Sequence, residues 1–332
     1  MAKPKLSVST LHETRDDIVE ELGTVLVGQQ ESIDQVLTAF FAGGHCMIMG
    51  MPGVAKTLLI ASLAQIMDLA FKRIQFTPDL MPSDITGSEI LEEDKTTGHR
   101  ELKFVKGPVF ANIVMADEIN RTPPKTQAAL LEAMQEKQVT LGGRTHLIDP
   151  PFFVLATQIP IEQEGTYPLP EAQQDRFMFS VVMTYLSEDQ EVEVVRSSTG
   201  STKAELKSLL GGEELLAYQT IIRDVEVPAQ LSGYIVDLVA ATRPGTPVAP
   251  DFVNDYVSWG AGLRASQYIV LGAKSKAALS GRSTANVDDV RAVVVPSMRH
   301  RIGLNFRADV DKVGVEDIVD RLAEKVPAPA LK

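Results

Sequence analysis

Cysteine and basic residues are scarce in this chain. Cys46 is the single cysteine among 332 residues, so no internal disulfide can form and we expect a reducing, cytoplasmic compartment. Thirty-two lysines and arginines stand against 44 acidic residues, which gives a net charge of −12. Binding that depends on neutralising nucleic-acid phosphates needs the opposite balance. We therefore expect no nucleic-acid partner.

Apolar runs long enough to span a membrane are also lacking, and the N-terminal residues have no apolar signal core. The sequence thus predicts a soluble chain without direct membrane insertion. Its five histidines are scattered, without the spacing of metal ligands, and are expected to be ordinary core or surface residues.

What the chain does contain is a pattern typical of a phosphate-binding loop, CMIMGMPGVAKTL at 46–58. Four apolar residues suit a buried strand, and a helical pattern follows the loop. Gly50 and Gly53 let backbone N–H groups converge on phosphate oxygens, and the helix from Lys56 adds its positive end. Lys56 can bridge the outer phosphates, and the Thr57 hydroxyl can bind Mg²⁺. The predicted cofactor-binding residues of the loop are Gly50, Pro52, Gly53, Val54, Ala55, Lys56, Thr57 and Leu58.

Ala55 departs from the common pattern, which ends Gly-Lys-Thr. Its methyl group fits if the residue is already helical. A glycine-rich turn alone could also be a tight strand-to-helix connection without a ligand.

A second feature favours the nucleotide. The apolar run 112–116 ends in Asp117 and Glu118, where a parallel strand would reach the same edge of the sheet. Buried carboxylates are costly unless they bind something. Asp117 is expected to hold Mg²⁺ through its water shell, and Glu118 to polarise the water that attacks the γ-phosphate of ATP.

The remaining pattern divides the chain near residue 186. Residues 9–42 read as helical with a break at 27–29, where the backbone of Gly28 and Gln29 could hydrogen-bond an adenine edge; a plain helix–helix turn is the alternative. Hairpins are predicted within 84–107 and 139–148. After Tyr185 only helical patterns follow, which predicts an α/β core at 1–186 and a helical domain at 187–332.

The segments GMPGVAKT, IVMADEINR, LATQ and EGTYPLPEAQQDRF, in this order, resemble the MoxR family of AAA+ ATPases over nearly the whole chain. This resemblance implies an α/β fold, in which a five-stranded parallel sheet flanked by helices precedes a small all-α lid domain. It also implies assembly into a ring, expected to be a homohexamer, with ATP between subunits and both hairpins projecting towards the pore or upper face.

By the same resemblance, Arg176 matches the arginine finger that reaches the neighbouring subunit's site. Arg264 matches the lid arginine that senses the γ-phosphate. Fixed guanidinium groups stabilise charge that develops on a transferring phosphoryl group. The alternative for each is a surface ion pair. Arg121 could face a neighbour and Gln75 could hold Glu118 away from water, although a structural role is the simpler interpretation for both.

One position departs from the family. Ile159 stands where an asparagine usually senses the γ-phosphate, and isoleucine can neither donate nor accept a hydrogen bond. Either Gln158 or Thr157 takes over the polar task or hydrolysis is slow, since losing one positioned contact costs on the order of 10²-fold in rate. We expect weak basal turnover.

The function implied by the resemblance is that of a chaperone that remodels or matures a partner protein, often by metal or cofactor insertion. Such partners commonly carry a von Willebrand factor A domain. Two alternatives remain: a slow-turnover, nucleotide-gated scaffold, which Ile159 favours, and a nucleic-acid motor, which the charge balance disfavours.

Overall fold

The computed structural model describes residues 6–93, 100–158, 165–198 and 205–330. Its strands, numbered in chain order, are β1 Cys46–Gly50, β2 Phe71–Gln75, β3 Gly87–Glu93, β4 Arg100–Lys106, β5 Ile113–Asp117, β6 Gln138–Leu141, β7 Arg144–Leu147, β8 Phe153–Gln158, β9 Phe179–Met183, β10 Val257–Trp259 and β11 Gly303–Leu304.

Its α-helices are α1 Val8–Gly23, α2 Gln30–Ala42, α3 Lys56–Ile66, α4 Pro82–Thr86, α5 Pro124–Glu136, α6 Glu171–Gln174, α7 Glu188–Ser198, α8 Gly212–Arg223, α9 Ala229–Ala241, α10 Asp251–Tyr256, α11 Leu263–Leu279, α12 Val287–Met298, α13 Phe306–Asp311 and α14 Val315–Lys325. Short 3-10 helices occupy Pro108–Phe110 and Ile119–Arg121.

A five-stranded parallel sheet forms the centre of the molecule, in the order β2-β5-β8-β1-β9. Parallel sheets are usually covered on both faces. In this sheet, successive side chains of a strand pack alternately in two different cores. Cys46 and Ile48 of β1 belong to a core shared with helices α1–α3 and those of the C-terminal part, whereas Met47 packs in a second core with α5. The predicted α/β fold is therefore confirmed.

Two antiparallel hairpins occur where the sequence predicts them. In one, β3 pairs with β4 from Gly87↔Lys106 to Glu93↔Arg100, and its predicted tip at 95–98 lies outside the described residues. In the other, β6 pairs with β7 on either side of Gly142 and Gly143, both of which have positive φ, as a tight turn requires. The stacked rings of Phe104 and His146, with centroids 3.9 Å apart, join the two hairpins.

The part after residue 186 is helical, with one addition to the prediction. A short antiparallel pair, β10 with β11, connects the region after α10 to the region before α13. Three residues and two residues are too few to show the alternation that identifies a strand in a sequence. Placing the domain boundary at residue 186 stays a prediction.

Among the described residues, no helix combines the length and apolar character needed to cross a membrane.

Candidate functional site

The loop after β1 turns through two residues with positive φ. Gly53 has φ +87°, and Ala55, the residue before α3, has φ +64°. The Lys56 ammonium turns back and donates to the Gly50 carbonyl oxygen at 2.7 Å. Ala55 is therefore in the left-handed conformation, whereas a helical conformation had been expected to accommodate its methyl group. Its Cβ carries the steric cost that glycine would avoid.

The acid pair lies at the carboxyl edge of the same sheet. Asp117, at the end of the fully buried β5, is 8% exposed, and Glu118 follows it with φ +57°. The Thr157 hydroxyl, on β8, donates to Asp117 Oδ1 at 2.6 Å and accepts from the Glu118 backbone N–H at 2.8 Å. This neighbouring strand thus fixes both acids.

One cleft of about 400 Å³ collects most of the predicted residues. Its lining includes Gly50, Pro52, Gly53, Ala55, Lys56, Thr57, Leu58, Asp117, Glu118 and Gln158. Thr157, the predicted alternative to Gln158, also lines it, and so does Arg73, to which the sequence assigned no role. Ile159 lies outside the described residues.

A second, more apolar cleft of about 270 Å³ shares Gly53 and Ala55 with the first. Val27 and Gln29 of the predicted break and Val54 of the loop line it, as do residues that the sequence did not indicate: Tyr185, Leu186, Val194 and Val195. Gly28 has φ +70°, and a Cβ there would lie 2.8 Å from Leu186 Cδ2. Gln29, also left-handed, donates from Nε2 to the Thr184 carbonyl at 2.6 Å. The predicted adenine turn therefore packs against the segment that follows β9.

The position of Tyr185 and Leu186 in the sequence could have indicated that they lie near the phosphate loop. They follow β9, which lies beside β1 in the parallel sheet, so they reach the edge where the phosphate loop begins. A flat apolar cleft beside a phosphate loop suits a purine base.

Charge in the first cleft is distributed unevenly. Burial lowers the pKa of Lys56, and the nearby carboxylates of Asp117 and Glu118 act in the opposite direction. The loop that buries Lys56 thus disfavours its charged form, and the two acids favour it. A polyphosphate entering the cleft would supply further negative charge to it.

Thr57 and Asp117 line the same cleft, and their hydroxyl and carboxylate oxygens are the donors that Mg²⁺ prefers. In the described part of the chain, no group of three or more histidines, cysteines or acids could hold a metal. The donor set therefore fits an ion that takes its other ligands from phosphates and water.

Residues of β2 contact both acids. The Arg73 guanidinium pairs with Asp117, and Gln75 Nε2 donates to Glu118 Oε2 at 3.0 Å. Arg121 Nε lies 3.1 Å from the same Glu118 oxygen. Gln75 thus has the contact with Glu118 that its functional interpretation needs. Arg121 instead pairs with Glu118 of its own chain, so its facing a neighbour stays a prediction, and Arg73 was missed altogether.

Arg176 and Arg264 occupy a different place. They line a third cleft, of about 210 Å³, with Gly44 and His45, which precede β1. Arg264 Nη1 contacts Asp175 Oδ2 at 3.0 Å, and the Tyr268 hydroxyl donates to the Arg176 carbonyl at 3.1 Å.

This third cleft lies at the amino edge of the sheet. The residue before β9, Met178, donates its N–H to the His45 carbonyl, whereas Gly50, at the far end of β1, pairs with Met183. The five-residue strand between those ends is about 13 Å long. A single chain therefore separates both arginines from its own phosphate loop.

Comparison with known proteins agrees with this architecture. A model of the ATPase family associated with various cellular activities (AAA) matches residues 45–179, and one of the AAA lid domain matches 252–322. Chaperone MoxR1 of Mycobacterium tuberculosis is 40% identical over 316 residues, covering 95% of this chain and 82% of that protein. Protein MoxR of Methylorubrum extorquens is 30% identical over 326 residues, covering 93% of each. A crystal structure of a candidate ATPase from Cytophaga hutchinsonii has a TM-score of 0.89 at 40% identity, covering 97% of both chains.

Proposed function

The chain belongs to the MoxR family of AAA ATPases, and from this premise we propose that it hydrolyses ATP in a ring of identical subunits to remodel a client protein. The observation that carries the proposal is the separation of the phosphate loop from Arg176 and Arg264 on opposite edges of one sheet. A copy that presents its arginine edge to the loop edge of its neighbour completes the site. Head-to-tail contacts of this kind form a ring when the rotation between successive copies closes, as we propose here.

Within one subunit, each residue has a task that its position supports. The loop N–H groups and Lys56 hold the phosphates, and the turn at Gly28 and Gln29 faces the base in the apolar cleft. Thr57 and Asp117 would hold Mg²⁺, which would supply positive charge to the phosphates during their transfer. Glu118 accepts a proton from the attacking water, and Gln158 is the described polar side chain placed to orient that water.

The reaction serves a conformational change, since the C-terminal helices pack on the core through α2 and β9. A nucleotide that binds two arrangements with different affinity shifts their populations.

We propose a homohexamer whose client carries a von Willebrand factor A domain, and a cytoplasmic location consistent with the fully buried Cys46. Pulling down partners with Glu118→Gln protein and ATP should enrich a protein of that class. Enrichment of unrelated proteins only would contradict this client assignment.

Glu118→Gln tests the enzymatic part. The amide cannot accept the proton, so hydrolysis should fall by about 10²-fold or more, while binding of a fluorescent ATP analogue with Mg²⁺ stays within about twofold. Glu20→Gln, which removes an exposed acid from α1, is the charge-matched control and should change neither. Equal hydrolysis by Glu118→Gln and wild type would remove Glu118 from the mechanism.

The scaffold alternative is favoured by Ile159. If that residue limits turnover, Ile159→Asn should raise ATP hydrolysis by about 10²-fold without tightening nucleotide binding. Rapid wild-type hydrolysis that Ile159→Asn leaves unchanged would exclude both slow turnover and the scaffold.

A further inference from the structure

Strand β2 brings an arginine to the carboxylate that the nucleotide site needs. In the register between β2 and β5, Arg73 lies opposite Met115 and Gln75 opposite Asp117. Arg73 therefore starts two residues before the end of its strand, and its long side chain reaches the carboxyl edge of the sheet. It lines the same cleft as Lys56 and Thr57.

The contact between Arg73 and Asp117 is concentrated on one oxygen. Arg73 Nε donates to Asp117 Oδ2 at 3.0 Å, and Nη2 donates to that same oxygen. The other oxygen, Oδ1, already accepts from Thr157. A carboxylate oxygen offers two lone pairs, so the Oδ2 positions are filled by the guanidinium.

The guanidinium is held by a further contact. Arg73 Nη2 also donates to Gln75 Oε1 at 2.7 Å, which orients the side chain along the strand edge. Arg73 is nevertheless 48% exposed at its side chain, against 12% for Asp117. Because the arginine is half exposed, water screens the pair and leaves it weak enough for another cation to replace the guanidinium.

We propose that Arg73 competes with Mg²⁺ for the Asp117 carboxylate and thereby sets the Mg²⁺ concentration at which this protein binds ATP. Arg73 is a positioning residue, since it acts through Asp117. The inference rests on the proposed function, because it requires Mg²⁺ and ATP to bind in this cleft. Thr157 fills one of the two lone-pair positions on Oδ1 and the guanidinium fills both on Oδ2, so one position on Asp117 is open to the water shell of the ion until the arginine gives up Oδ2.

The test is the Mg²⁺ dependence of nucleotide binding. Binding of a fluorescent ATP analogue is titrated with buffered Mg²⁺, and the concentration that gives half-maximal binding is compared between wild type and Arg73→Gln. Loss of the competing guanidinium should lower that concentration by about five- to tenfold. Arg73→Lys keeps the charge without the fork of donors and should fall between them.

Lys72→Gln is the matched control. Lys72 is the preceding residue of β2 and is exposed, so its removal changes the net charge equally. We expect the half-maximal Mg²⁺ concentration of this variant to stay within about twofold of wild type.

A second measurement, in excess EDTA, separates competition from general weakening of the site. Without Mg²⁺, loss of a cation from the cleft should weaken analogue binding in Arg73→Gln, a change opposite to the gain seen with Mg²⁺. Thermal unfolding checks that the variant is folded.

Each remaining outcome has a separate meaning. If wild type binds the analogue with Mg²⁺ and Arg73→Gln needs the same or more Mg²⁺, competition is excluded while the ATPase proposal stands. If wild type binds no analogue at any Mg²⁺ concentration, the proposed function itself fails, and the competition with it.

Discussion

At the residue scale, the turn between α1 and α2 requires a residue without a side chain at position 28. Gly28 has φ +70°, a conformation that costs an L-residue about 1–2 kcal/mol. The space where a Cβ would lie is filled by Leu186 and Gln190 at 2.8–3.1 Å. Both neighbours follow β9, and Leu186 also lines the apolar cleft, so the glycine lets the turn pack against the cleft proposed for the base.

Gly28→Ala should therefore lower the free energy of unfolding by about 1–2 kcal/mol and weaken ATP binding several-fold. Tripolyphosphate binding should change little, because the phosphate loop is untouched. Denaturant unfolding and competition against a fluorescent analogue measure both effects.

Gly23→Ala provides the control, since a Cβ at that last residue of α1 meets nothing within 4 Å. Equal losses of ATP and tripolyphosphate affinity in Gly28→Ala would indicate a general disturbance and contradict a role at the base.

Residues with a local signature were easier to predict than residues defined by a neighbour. Lys56 and Thr57 belong to a loop whose chemistry dictates its sequence, and the structure has them in one cleft with Asp117 and Glu118. Arg73 has no such signature. Its importance arises from pairing of β2 with β5, which hydrophobic pattern alone does not specify. The roles themselves stay predictions.

At the scale of elements, His45 joins three of them. It precedes β1, its Nδ1 accepts the Val154 N–H of β8 at 3.0 Å, and its Nε2 faces the Met134 carbonyl of α5 at 3.4 Å. Since Nδ1 accepts, the ring is neutral with its proton on Nε2. Burial lowers the pKa of His45 to about 4.

This lowered pKa predicts acid sensitivity. As pH falls below 6.5, the unfolded chain protonates His45 while the folded chain resists until about pH 4, so stability is lost across that interval. The difference between these two pKa values corresponds to roughly 3 kcal/mol in the free energy of unfolding. The difference in free energy of unfolding between wild type and His45→Gln, followed from pH 7 to pH 4.5, should shift in favour of the variant as pH falls. A constant difference would show that His45 titrates normally.

The helices and strands differ in how well the hydrophobic pattern of the sequence predicts them. The buried strands and both hairpins could be predicted because apolar runs and Gly-Gly or Gly-Pro punctuation mark them. The pair β10–β11 could not, since Val257–Trp259 follows α10 directly and is too short for a period of two. The order of the strands was not predicted, because pairing between distant segments leaves no local pattern in the sequence.

At the scale of the whole molecule, the proposed catalytic residues lie at two opposite edges of the sheet, and we propose that neighbouring copies share them. The loop edge holds Lys56 and Glu118, and the other edge holds Arg176 and Arg264. A variant with an inactive loop edge should therefore still supply a working arginine edge to its neighbour. Mixing two inactive variants, one changed at each edge, tests this expectation.

We expect Lys56→Ala and Arg176→Ala each to be inactive alone and active together. In a 1:1 mixed ring, about one quarter of the head-to-tail interfaces join an intact loop to an intact arginine edge, so about a quarter of wild-type ATP hydrolysis should return. Differently tagged copies verify that subunits exchange, and light scattering verifies the ring. Exchange without recovered activity would contradict a shared site.

Mixing Arg176→Ala with Arg264→Ala then shows where the lid arginine acts. Asp175 and Tyr268 hold both arginines in one cleft, so both should serve the same neighbouring nucleotide. Every subunit in this mixture lacks one of the pair, and hydrolysis should not recover. If Arg264 instead served its own subunit's nucleotide, about a quarter of the interfaces would again be complete. Recovery in this second mixture would thus assign the two arginines to different subunits, despite their shared cleft.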